Sequence, residues 1–89
     1  MEIDQTDISE HLDPLMEKRG SYTYRGISPS MMRAELMPVV QEYRDDLAGV
    51  SSKKAVQTAA EEYLIQKEWE LVDEGEKIVW LPKYRPSRM

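Results

Sequence analysis

Apolar residues recur along this chain with a helical period first and a strand period last. Ile8, Leu12, Leu15 and Met16 form one helical stripe, with Asp7 as a capping residue ahead of it. Gly20 stops that helix behind Lys18 and Arg19, cations that suit a helix C-terminus. Pro14 leaves two readings: one kinked helix over about residues 7–19, or a short turn and a new helix capped by Asp13. Ser21-Tyr22-Thr23-Tyr24-Arg25, bounded by Gly20 and Gly26, reads as a short strand. Ser28-Pro29 opens the next helix, whose stripe is Met32, Leu36, Val39/Val40, Tyr43 and Leu47, with Gly49 as its stop. Pro38 predicts a kink or break near Met37.

Ser51-Ser52 offers another N-cap, and Lys53 to about Lys67 is rich in helix formers. Val56, Ala59, Ala60, Tyr63 and Leu64 make its buried face, and Lys54, Thr58, Glu61 and Glu62 the opposite one. Ile65 falls near the solvent side, the one mismatch in that stripe. The period then changes to two. Trp69-Glu70-Leu71-Val72 and Lys77-Ile78-Val79-Trp80-Leu81 are strand-like runs joined by the loop Asp73-Glu74-Gly75-Glu76. Trp69 and Leu71 share a face with Ile78 and Trp80 across the hairpin, and Pro82 stops the second strand. The two Trp residues pack the hairpin onto the helices rather than stacking on bases, because each alternates along a strand with its neighbours.

This order of elements resembles a winged helix-turn-helix domain, whose third helix runs into a β-hairpin wing. The resemblance is carried by Ser51-Ser52-Lys53-Lys54-Ala55-Val56, by Tyr63-Leu64, by the hairpin from Trp69 to Leu81, and by the short Tyr22-Thr23-Tyr24 strand between the first two helices. Lys67-Glu68 stands where that family often has a Gly before the wing. The expected fold is α+β and winged-helix-like: three helices, or four if Pro38 splits the second, a C-terminal two-stranded hairpin and a short additional strand. The domain spans residues 7–82, between a flexible acidic N-terminus (1–6) and a basic flexible tail (83–89).

Charge changes the functional picture. The 89 residues carry a formal net charge of −5, and 33% are charged. Residues 1–50 hold ten acidic against five basic residues, whereas residues 51–89 hold seven of each. A sequence pI near 4.8 counts against tight non-specific nucleic-acid binding and leaves room for one local basic face. The chain has no Cys, which excludes disulfides and thiolate metal sites and fits a reducing, cytoplasmic setting. No apolar run reaches the length of a membrane span, and the acidic N-terminus is no signal peptide.

A single His and the lack of a nucleophile motif, Gly-rich phosphate loop or cofactor fingerprint predict no enzyme and no cofactor. His11 with Asp7, Glu10 and Asp13 is too sparse a set for a metal or acid–base site. The resemblance implies a third helix that enters the major groove of double-stranded DNA and a wing that touches the backbone. Its candidate contacts are Ser51, Ser52, Lys53, Lys54, Gln57 and Thr58, with Lys77, Lys83, Arg85 and Arg88 adding phosphate contacts. Opposing this, Glu61 and Glu62 share the exposed face, and Asp73, Glu74 and Glu76 make the hairpin tip acidic. The function expected is therefore a small DNA-binding regulator or accessory factor. The alternative is a protein-interaction adaptor that binds no nucleic acid, with a basic partner suiting the acidic half and with Met31, Met32 and Ile65 as interface candidates. A homodimer serves either reading, with the long second helix as its interface.

Overall fold

The computed structural model describes residues 3–20, 25–43 and 52–84. Helix α1 runs from Gln5 to Gly20 as one helix, with Pro14 inside it. Its cap is Asp4 and not Asp7: the Asp4 carboxylate accepts the Thr6 N–H at 2.9 Å. Asp7 is thereby free to take a tertiary role. Ile8 and Leu12 are fully buried, and Leu15 and Met16 pack partly against the same core.

The second predicted helix is split. Ser28 caps α2 (Pro29–Glu35) by accepting the Met31 N–H at 3.2 Å. Helix α3 (Met37–Glu42) begins again with Pro38 in its first turn. The hinge is Leu36, at φ −93° and ψ 4°. Proline lacks the N–H that would continue the ladder, and its ring crowds the preceding turn. Leu36 and Val39 nevertheless stay buried, so the break redirects the chain without losing the apolar stripe. The predicted stop at Gly49 lies outside the described residues.

Helix α4 (Ser52–Gln66) buries Val56, Ala60, Tyr63 and Leu64 against α1 and α3. It ends through Lys67 N–H to Tyr63 C=O and Glu68 N–H to Ile65 C=O, both 3.0 Å. Glu68 takes φ +64°, the left-handed conformation that reverses a chain after a helix.

Strands β1 (Trp69–Asp73) and β2 (Ile78–Pro82) pair antiparallel, with Leu71 opposite Trp80 and Trp69 opposite Pro82. Gly75 turns the tip at φ +91°, and its N–H is held by the Asp73 carboxylate at 2.9 Å. Trp69 and Trp80 both join the helical core, as their alternation predicts. Of the predicted strand at 21–25, residues 21–24 lie outside the described residues. Just after it, Ile27 forms an isolated bridge with β2: Ile27 N–H bonds Trp80 C=O at 2.9 Å, and Trp80 N–H bonds Ile27 C=O at 2.8 Å. Gly26 makes this approach feasible, at φ +80°, where a Cβ would stand 2.7 Å from the Trp80 carbonyl oxygen.

The fold is therefore α+β: four helices and a C-terminal two-stranded antiparallel sheet among the described residues. None of those helices is long and apolar enough to cross a membrane.

Candidate nucleic-acid interface

Helix α4 starts with Ser52, Lys53 and Lys54 and has no acidic residue in its first turn. A helix N-terminus carries partial positive charge, so cations there cost about 0.3–1 kcal/mol each relative to a favourable placement. Local stability alone would choose the opposite sign. Both Lys53 and Lys54 are exposed, and Ser52 is half-buried. Thr58 is also exposed, one turn on. Gln57 is half-buried and donates to Glu61 at 3.4 Å, so it is held on the helix flank.

Packing places a further cation beside this end. A shallow apolar groove separates α2 and α3 from α4, with Met32, Leu36, Val40 and Val56 in its walls and Arg33, Met37, Lys53 and Gln57 around it. A second depression lies between the start of α2 and the hairpin tip, and its lining includes Ser28, Ser30, Arg33, Asp73, Glu76 and Lys77. Arg33 borders both. Arg33 therefore shares the groove with Lys53 and the depression with Lys77. No ion pair among the described residues involves any of the three. The second depression is not uniformly positive, because Asp73 and Glu76 share it with Lys77.

The sequence-level candidates separate accordingly. Lys53, Lys54 and Thr58 stand exposed on α4, Lys77 stands at the hairpin tip, and Lys83 is at the hairpin base, where its N–H bonds the Glu68 carbonyl at 2.8 Å. Ser51, Arg85 and Arg88 lie outside the described residues. Among the interface candidates Ile65 is 61% exposed. Met32 is a correction: at 1% exposure it is a core residue, because α2 turns it into the apolar cluster that α1, α3, α4 and the hairpin share. Met31 is half-buried against that core, and Met37 is the exposed methionine of the three. Arg33 was not legible as a site residue, since its importance comes from the packing of α2 beside α4 and not from its sequence neighbours. The long second helix offered for a dimer is broken at Leu36.

His11 is half-buried on α1, and the groups around it are already committed or exposed: Asp7 accepts the Tyr43 hydroxyl at 2.7 Å, Asp13 accepts the Tyr63 hydroxyl, and Glu10 is exposed. Among the described residues no three His, Asp or Glu side chains gather to hold a metal ion. Comparison with protein-family models, curated proteins and solved structures gives no match, so the functional reading rests on the geometry of the chain itself.

Proposed function

We propose that this chain is a small winged-helix-like DNA-binding regulator or accessory factor that meets duplex DNA with the start of α4. One observation carries the reading: Arg33 of α2 borders both the groove that Lys53 lines at the start of α4 and the depression that Lys77 lines at the hairpin tip. The cations contact phosphates and fix the register of the protein on the duplex. Lys54, Gln57 and Thr58 then face base edges in the major groove. Asp73, Glu74 and Glu76 keep the extreme hairpin tip away from the backbone, so Lys77 approaches at an angle set by α2. A cysteine-free chain that binds DNA fits a reducing, cytoplasmic compartment.

The test is binding to mixed-sequence duplex DNA at low salt, followed by a salt titration. Three phosphate contacts give a slope of log K against log salt of about −3. Lys53→Glu with Arg33→Glu should abolish binding without changing the circular dichroism spectrum. A wild-type protein that fails to bind even at low salt, where attraction is strongest, removes the reading.

A second reading is favoured by the apolar groove and by Met37, which is 47% exposed beside it. In that reading the chain is a protein adaptor, and the exposed acids of α1 and its cap (Asp4, Glu10, Asp13 and Glu17) suit a basic partner. Loss of DNA binding on Lys53→Glu with none on Met37→Asp separates the first reading from the second.

A further inference from the structure

The hydrogen-bond parity of the hairpin identifies an open sheet edge. Lys83 N–H bonds Glu68 C=O, and Glu74 N–H bonds Lys77 C=O, both at 2.8 Å. In an antiparallel ladder inward and outward residues alternate. Glu68, Glu70, Val72 and Glu74 therefore turn their backbone groups toward β2, and Trp69, Leu71 and Asp73 turn theirs away. The same parity sends Trp80 outward on β2, where Ile27 meets it. Pro82, the next outward residue on that side, lacks an N–H and needs no partner for one. The β2 side is thus matched by Ile27 and blunted by Pro82. Among the described residues the β1 side carries neither device, and Leu71 at its centre is 52% exposed.

We infer that the β1 edge pairs with the β1 edge of a second copy of this chain, antiparallel about a two-fold axis at Leu71. This proposal is independent of DNA binding. It commits to a second copy because the edge is self-complementary. With the axis at Leu71 every outward residue meets an outward residue: Leu71 meets Leu71, and Trp69 meets Asp73 in both directions. Within β1 Glu70 falls opposite Val72, so no two carboxylates of the strand oppose each other; just past its ends Glu68 falls opposite Glu74, a like-charge pair that Lys83, across the hairpin from Glu68, offsets. The charge of the hairpin is polarised in the same sense. Asp73, Glu74 and Glu76 outnumber Lys77 at its tip, and Lys67 and Lys83 outnumber Glu68 at its base. Antiparallel pairing brings each tip toward the other copy's base, whereas parallel pairing would set tip beside tip. On the face that holds Trp80, the exposed Leu71 and Ile78 extend into a shared apolar strip across the axis. The product is a closed two-fold dimer with one four-stranded sheet. A five-residue edge buries far less than the about 800 Å² per partner of a standard interface, so the dimer is a weak one.

Sedimentation equilibrium of the full chain without DNA tests this, from about 10 µM to about 1 mM, the range in which weak interfaces associate. The mass should rise from monomer toward twice that value. Leu71→Lys, which sets like charges on the axis, should hold it at monomer throughout. Because the chain has no Cys, Leu71→Cys offers a second readout. Opposed Cβ atoms in such a pair lie about 4.5–5.5 Å apart, so a short bismaleimide should cross-link Leu71→Cys several-fold faster than Glu10→Cys. A wild-type chain that stays monomeric overturns the proposal and leaves the edge to an extended segment of another protein. A dimer that survives Leu71→Lys, or equal cross-linking at both positions, overturns it as well.

Discussion

The Tyr63 hydroxyl of α4 donates to the Asp13 carboxylate of α1, joining residues 50 positions apart in sequence. Tyr63 is 5% exposed, and Asp13 sits at the surface. Tyr43 repeats the arrangement at the end of α3, donating to Asp7 at 2.7 Å and accepting the Asp4 N–H at 3.1 Å. Two tyrosines thus hold α1 against the helices that follow it. Tyr63→Phe removes a bond to a charged acceptor and leaves no buried orphan, so it should cost about 1–2 kcal/mol in a urea denaturation.

The same bond gives an alkaline pH dependence. Burial pushes the Tyr63 phenol up to about 12, and the bond to Asp13 and the carboxylate charge add to it. The net shift at Tyr43 is also upward: the Asp4 N–H pulls its pKa down, and the Asp7 bond and burial outweigh that. A group whose pKa is raised by folding contributes stability that is complete below its unfolded pKa. That contribution is lost as pH climbs through the folded value. Stability should therefore fall between pH of about 10 and about 12, and Tyr63→Phe should flatten the decline. Thermal melts across that window, read beside phenolate absorbance, give the comparison.

Gly20 ends α1 against the indole of Trp69. A Cβ there would stand 2.7 Å and 2.9 Å from two ring carbons, and the ring is 7% exposed, with no room to retreat. Alanine would gain about 1 kcal/mol of helix propensity and lose more to overpacking. Gly20→Ala should destabilise by about 1–2 kcal/mol net, with a changed Trp fluorescence spectrum.

Glu68 presents the opposite case. It holds φ +64° without the freedom of glycine, and its side chain is exposed. The left-handed conformation costs a residue with a Cβ about 1–2 kcal/mol. Glu68→Gly should raise stability by about 0.5–1 kcal/mol, after the entropy that glycine gains in the unfolded chain is subtracted. An unchanged or lower melting temperature would show that the turn is unstrained.

Trp80 is 6% exposed and links β2, the Ile27 bridge and the helical core. Trp80→Ala should cost about 3–5 kcal/mol. For a domain whose total stability is of the order of 5–15 kcal/mol, that loss leaves a substantial unfolded fraction. Trp80→Phe keeps most of the apolar volume and should stay folded, which separates lost packing from a lost hydrogen-bonding role.

Local rules made the element order readable. The Ser28-Pro29 start, the Pro38 break, the apolar stripe of α4 and the two-residue period of the hairpin each act within a turn or a strand, so the residues themselves carry the signal. The reading went astray where a distant group won. Asp7 looks like a cap until Tyr43 arrives from 36 residues away and Asp4 takes the capping role. Met32 looks like half of a surface pair until the other elements gather around it in one core. In the candidate interface Lys53 and Lys54 were visible as cations in the first turn of a helix, but Arg33 was not.

The sequence by itself determined what each segment becomes, because capping, proline geometry and hydrophobic period depend only on neighbouring residues. Tertiary structure alone decided which groups meet. It turned Gly20 into the seat of a tryptophan, bridged Ile27 to Trp80, and placed Arg33 beside both the groove of Lys53 and the depression of Lys77. Among the described residues it also left the β1 edge of the hairpin without a partner strand. Those outcomes follow from how four helices share one core, and no local pattern encodes a contact between segments that are only brought together by folding.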